Sequence, residues 1–218
     1  MIVLDQPQNV SEDGWKSPQE VEDSPYSFDF GSIYDSAMEI FKKNALHFIL
    51  FTLVYAAINV LLAFIPFIGA LASMVINPPL LAGYYLVADK IRNGQTPAFE
   101  NFFDGFSMNF LQLFLLALVS GIFIGIGSLF CIIPGIWLAV SYVLATPIVL
   151  FSRLEFWDAM EASRKIVAKN FWMFLGVLIL MLLAGSLFTL ITCGLGSVIV
   201  TPMIYIMIYM IFVRLFAV

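Results

Sequence analysis

Three stretches of this chain, 44–88, 105–152 and 170–213, contain no Asp, Glu, Lys or Arg, and each is about 45 residues long. A helix needs about 20 residues to cross the hydrocarbon of a bilayer, so each stretch is long enough for two crossings and too long for one. Turn formers sit at the middle of each: Pro66 and Gly69, Pro134 and Gly135, Gly194 and Gly196. Glycine and proline at those points punctuate a helix and fold it into a hairpin. The pattern predicts an all-α polytopic membrane protein with six transmembrane helices, near 45–64, 69–88, 109–128, 133–152, 171–190 and 195–214. Composition agrees, with 61% hydrophobic and 11% charged residues, against roughly 45–50% and about 25% in soluble domains. The opening MIVLDQPQNVSEDGWK has acids where a leader carries bases and no apolar run, so no cleavable segment is expected.

Every basic residue falls on one side of this hairpin map. Lys16, Lys42, Lys43, Lys90, Arg92, Arg153, Arg164, Lys165, Lys169 and Arg214 lie in the tail, between hairpins or at the C-terminal end, and the opposite turns have none. The positive-inside rule then puts both termini in the cytoplasm. The charged connections carry helical patterns of their own. Phe30, Ile33, Tyr34, Ala37, Met38 and Phe41 share one face, as do Phe99, Phe102, Phe103, Phe106 and Phe110, and again Phe156, Ala159, Met160, Ile166 and Val167. These read as amphipathic helices on the cytoplasmic membrane surface, or as helices packed on the ends of the bundle. In the first setting Lys42, Lys43, Arg164, Lys165 and Lys169 are candidate interfacial lipid contacts.

Overlaying the three units gives an internal repeat, at about 29–90, 96–153 and 155–214. Each unit has an amphipathic helix, an Asn at its exit (Asn44, Asn109, Asn170), a first span, a turn and a second span with a polar-Pro pair. The pairs are Asn77-Pro78, Thr146-Pro147 and Thr201-Pro202. Two crossings per unit keep successive units in the same orientation, which predicts a pseudo-threefold along the membrane normal rather than an inverted repeat. A proline inside a helix frees the carbonyl four residues earlier, here Met74, Val143 and Val198, and lipid cannot satisfy it. Asn77, Thr146 and Thr201 are therefore a candidate polar axis, unless each proline only kinks its own helix. Residues 1–28 precede this membrane domain of 29–218 with six acids, one lysine and three prolines, and read as a disordered cytoplasmic tail. It would serve as a tether for a soluble partner or as an uncoupled extension.

The search for chemistry returns little. His47 is the only histidine, without Cys, Asp or Glu at ligand spacing, and no phosphate loop or HExxH occurs. Asp89, Glu100 and Asp104 could hold a cation or form a solvated face. No catalytic, cofactor or metal site is expected, and no nucleic-acid partner. The charge-free spans also argue against a proton-coupled pump, where intramembrane acids or bases mark the pathway, and leave an uncoupled channel open. Ala117, Gly121 and Gly125 form a small-residue ridge for a homo-oligomer or an internal contact. Cys131 and Cys193 fall near the outer turns of the second and third units, as free thiols or a disulfide.

The run PGIWLAVSYVLATPIVLFSRLEFWDAMEASRKIVAKNFW carries Pro134-Gly135, Tyr142, Pro147, the Ala159–Ser163 segment and Asn170, and is followed by the Cys193-Gly194 turn ahead of Pro202. With these marks the chain resembles bacterial families of uncharacterised six-helix membrane proteins, including the membrane domain fused to some glycerophosphodiester phosphodiesterases. The resemblance implies the bacterial inner membrane and no established activity, and phosphodiesterase activity is not expected of these residues. The functional expectation is a non-enzymatic membrane module that organises lipids or a membrane partner. The alternatives are an uncoupled channel or transporter for a small or amphipathic molecule and, third, a membrane-embedded enzyme.

Overall fold

A computed structural model describes residues 15–23, 29–65 and 67–217. Within them lie α1 (Pro18–Asp23), α2 (Phe30–Lys43), α3 (Ala45–Ala63), α4 (Ile68–Arg92), a 3₁₀ helix (Phe99–Phe106), α5 (Phe110–Phe130), α6 (Ile132–Ser141), α7 (Ala145–Phe151), α8 (Phe156–Lys169), α9 (Phe171–Ile191) and α10 (Ser197–Phe216). The protein is an all-α polytopic membrane protein: six helical runs, with α6 and α7 together forming the fourth, are long and apolar enough to cross a bilayer.

The fourth span departs from the continuous helix expected over 133–152. It breaks at residues 142–144 and restarts so that Pro147 is the third residue of α7. A proline there costs no intrahelical bond, because first-turn N–H groups have no helical acceptor. Pro78, Pro79 and Pro202, by contrast, lie inside unbroken helices.

Burial separates the spans into two classes. In the apolar windows of α3, α5 and α9, 17%, 11% and 17% of residues are buried; in those of α4, α6–α7 and α10 the shares are 44%, 44% and 61%. The second member of each hairpin is thus interior, and α4, α7 and α10 contact one another pairwise. Each outer helix rests on its own partner and on one other inner helix: α3 on α4 and α10, α5 on α6 and α4, α9 on α10 and α6.

The amphipathic segments spend their apolar faces on this bundle, the second of the two settings considered. Helix α2 lies on α10 with Ile33, Ala37, Ile40 and Phe41 buried, its start capped by the Asp29 carboxylate, which accepts from the Gly31 and Ser32 N–H groups. The 3₁₀ helix lies on α4, and α8 lies on α5, α6 and α7. Contact under the 3₁₀ helix is backbone to backbone. A Cβ on Gly83 would stand 2.0 Å from the Phe102 carbonyl oxygen, and one on Gly105 would stand 2.2 Å from that of Pro79. Beneath α8, the Ser163 hydroxyl donates to the Ser141 carbonyl at 2.6 Å, supplying one of the orphan acceptors where α6 ends.

The tail also differs from expectation. Residues 1–14 and 24–28 lie outside the described residues, but 15–23 are folded onto the charged end of the bundle. The Trp15 ring packs 5.1 Å from Phe212 and 6.0 Å from Phe151. The Lys16 N–H donates to the Phe216 carbonyl at 2.8 Å, and α1 buries Val21 while packing on α8. One tryptophan and one valine supply the apolar contact that the acidic composition conceals.

Candidate functional site

The inner helices meet around a cavity of about 570 Å³. From α4 it receives Ser73, Met74, Asn77 and Tyr85; from α5 Ala117 and Ser120; from the α6–α7 break Tyr142 and Val143; from α7 Thr146; from α10 Tyr205 and Ile208. Two of the three polar-Pro positions are therefore brought together, along with Met74, whose carbonyl Pro78 frees, and Val143, which lies in the break ahead of Pro147. Thr201 is not among the lining residues. It lies four residues before Tyr205, on the same face of α10, one turn nearer the charge-free end.

Asn77 is tied across its own hairpin. Its Nδ2 donates to Asn59 Oδ1 at 3.1 Å, and Asn59 Nδ2 donates to the Tyr55 carbonyl at 3.0 Å. Asn77 Oδ1 is buried and has no hydrogen-bond partner. A buried acceptor without a donor is costly, and Asn77 stands in the cavity wall. The cavity lining contains no Asp, Glu, Lys, Arg or His. It sets neutral polar groups beside apolar ones and has no side chain of opposite charge to pair with an ion.

A second cavity, of about 490 Å³, opens at the charged end between α4, α7 and the docked tail. Its charges are engaged. Lys90 Nζ sits 2.7 Å from Asp104 Oδ2, the Tyr209 hydroxyl donates to Asp89 Oδ1 at 2.6 Å, and Asn93 Nδ2 donates to Asp89 Oδ2 at 3.1 Å. The Arg92 guanidinium lies 5.4 Å from the centre of the Trp15 ring. Two of the three acids considered for a cation are thus committed to other donors. Among the described residues no three of His, Cys, Asp and Glu come together.

The candidate lipid-contacting cations divide. Lys42 and Lys169 are exposed, while Lys43 pairs with Glu39 at 2.8 Å. Arg164 holds Glu161 through both Nε and Nη2, and Lys165 stands 3.5 Å from the same carboxylate. That hydrogen bond, then the neighbouring positive charges, keeps the Glu161 carboxyl below its usual range.

Two packing readings that the sequence left open can be followed in the structure. A Cβ added to Gly121 or Gly125 would meet nothing within 4 Å, so the ridge makes no internal contact beyond Ala117 at the cavity wall. Close approach between α5 and α6 occurs one turn further on, where a Cβ on Gly135 would stand 2.0 Å from Ser128 Oγ. Cys131 and Cys193 are not bridged. Both are free and exposed, each at the tip of its own hairpin, Cys131 as the extended N-cap of α6 and Cys193 in a left-handed turn at φ 51°.

Sequence reasoning missed Tyr85, Tyr142 and Tyr205 as cavity residues, although tyrosines in otherwise aliphatic spans were the signal. It also missed Gly83 and Gly105, whose role depends on a partner segment that no spacing reveals. Comparison with protein-family models, curated proteins and solved structures finds no match.

Proposed function

We propose that this protein is a non-enzymatic integral membrane module that organises lipids, and that the cavity beside Asn77 holds an uncharged, lipid-like amphiphile. The observation that carries the reading is the lining: hydroxyl and amide side chains next to apolar ones, no ionisable carboxylate, amine or imidazole, and an Asn77 Oδ1 that needs a donor. Its volume of about 570 Å³ falls in the range of small-molecule sites, roughly 300–1,000 Å³. Lipid extraction from protein purified in mild detergent tests it. A neutral lipid should copurify near one per chain and be depleted at least several-fold in N77L, whereas equal content in both would overturn the reading.

One observation favours a conduit as the second reading. Both cavities use α4 and the α6–α7 span, with Tyr85 lining one and Leu86 the other, and Phe151 and Tyr209 packed together at 5.5 Å near the charged one. Flux of a neutral solute through proteoliposomes would support that reading against simple lipid holding.

The rest of the proposal concerns setting. The charge map supports cytoplasmic termini, and the resemblance of 134–172 to six-helix bacterial families supports the bacterial inner membrane. Three repeats about a common axis are supported by the cyclic contacts of α3, α5 and α9, and by α2, the 3₁₀ helix and α8 each lying on the inner helix of the preceding unit. Gly121 and Gly125, facing open space, are the surface for a second copy.

A further inference from the structure

We propose that the three charge-free hairpin ends lie inside the far leaflet, against acyl chains and glycerol groups, and give the protein no water-exposed face on that side. The turns are capped by large apolar side chains in full view: Phe64 is 79% exposed, Phe130 85%, Ile133 74% and Leu195 78%. No Asp, Glu, Lys or Arg occurs between 44 and 88, 105 and 152, or 170 and 213, so nothing near these ends anchors them in water. Apolar side chains also dominate the outward faces of α3, α5 and α9 near these ends, where Leu61, Leu129 and Leu190 are exposed.

Part of the turn backbone is bonded internally. Hydrocarbon tolerates only polar groups that are bonded internally. Ile65 N–H donates to Leu62 O at 3.1 Å, Gly69 N–H to Ile65 O at 2.8 Å, Cys131 N–H to Gly127 O at 3.0 Å and Gly194 N–H to Thr189 O at 2.8 Å. Two hydroxyls of the third turn behave likewise: Thr192 Oγ1 donates to Phe188 O and accepts from Gly196 N–H, and Ser197 Oγ donates to Gly194 O. Length agrees. The 19 residues of α3 rise about 28 Å at 1.5 Å each, against a hydrocarbon core of about 30 Å, so a helix that starts at the charged interface ends near the far boundary.

Cys131 and Cys193 are built-in reporters, since both are free, exposed and at these tips. The full chain carrying N93C, whose site is exposed at the charged end, is reconstituted in phosphatidylcholine vesicles made leaky so that reagent reaches both faces. A water-soluble impermeant maleimide should label the thiol introduced by N93C at least tenfold faster than Cys131 or Cys193, as read by peptide mass, because the maleimide needs a thiolate that lipid does not allow, while a lipid-soluble diazirine, whose carbene inserts without ionisation, marks the peptides that carry Cys131 and Cys193. Labelling of either native thiol at the rate of the introduced one by the impermeant reagent would overturn the proposal. So would failure of the diazirine on the peptides that carry Cys131 and Cys193, which would mean that protein rather than lipid covers the tips.

Discussion

The inner and outer spans differ in the opposite sense from the inside and outside of a soluble bundle. Mean hydropathy is 2.1, 2.5 and 2.6 for the exposed α3, α5 and α9, but 1.4, 1.9 and 2.1 for the buried α4, α6–α7 and α10. Lipid is as apolar as leucine, so burial within a membrane bundle follows close fit and polar pairing rather than hydrophobicity. The inner helices carry the means for both. Tyr84 stacks on Tyr205 at 5.2 Å and its hydroxyl meets Thr52 Oγ1 at 2.9 Å, while Gly83 admits the 3₁₀ helix to backbone contact.

Substitutions matched between the two classes would break or sharpen that contrast. The largest difference is expected for tryptophan. W15A removes a ring packed on the ends of the inner helices and should cost about 3 kcal/mol, whereas W172A, on an outer helix and 81% exposed, should stay within about 0.5 kcal/mol. Chemical unfolding in detergent measures both; equal effects would dissolve the distinction. Next comes glycine. G83A drives a Cβ toward the Phe102 carbonyl and should lose about 2 kcal/mol, while G121A meets open space and should gain up to about 1 kcal/mol in helix propensity. The two effects have opposite signs, and G83A with unchanged stability would refute the close approach.

A smaller effect should come from the amide pair that links the classes. Because Asn77 donates to Asn59, N77L and N59L should couple by about 0.6 kcal/mol in a double-mutant cycle, the usual size of a hydrogen bond in a membrane interior. Zero coupling would remove the bridge. The smallest belongs to α8. Because the folded Glu161 carboxyl titrates below its ordinary value, its contribution is present above the unfolded carboxylate range and lost as pH falls through the folded value. E161Q should therefore cost a few tenths of a kcal/mol at neutral pH and low salt, in keeping with exposed pairs, and nothing once the wild-type carboxyl is protonated. A difference that persists in acid would assign the effect to packing.

The sequence was most informative where charge decided the outcome. Ala45–Ala63 and Phe171–Ile191 fall within a residue of their expected ends, because an uncharged run between charged connections has few alternatives. The break at 142–144 was less accessible, since Pro147 permits either a kink or a restart and packing chooses between them. Trp15 was hidden for a compositional reason: six acids in 1–28 outweigh one ring when a segment is averaged. Of the candidate axis, Asn77 and Thr146 meet at the cavity while Thr201 stands one turn away, a displacement smaller than spacing alone resolves.

Photolabelling from within the bilayer addresses the division of spans most directly. With a carbene-generating phospholipid in reconstituted vesicles, adducts mapped by peptide mass should concentrate on α3, α5 and α9 and be sparse along α10, where 61% of the apolar window is buried. Labelling of α10 at the level of α9 would contradict the account.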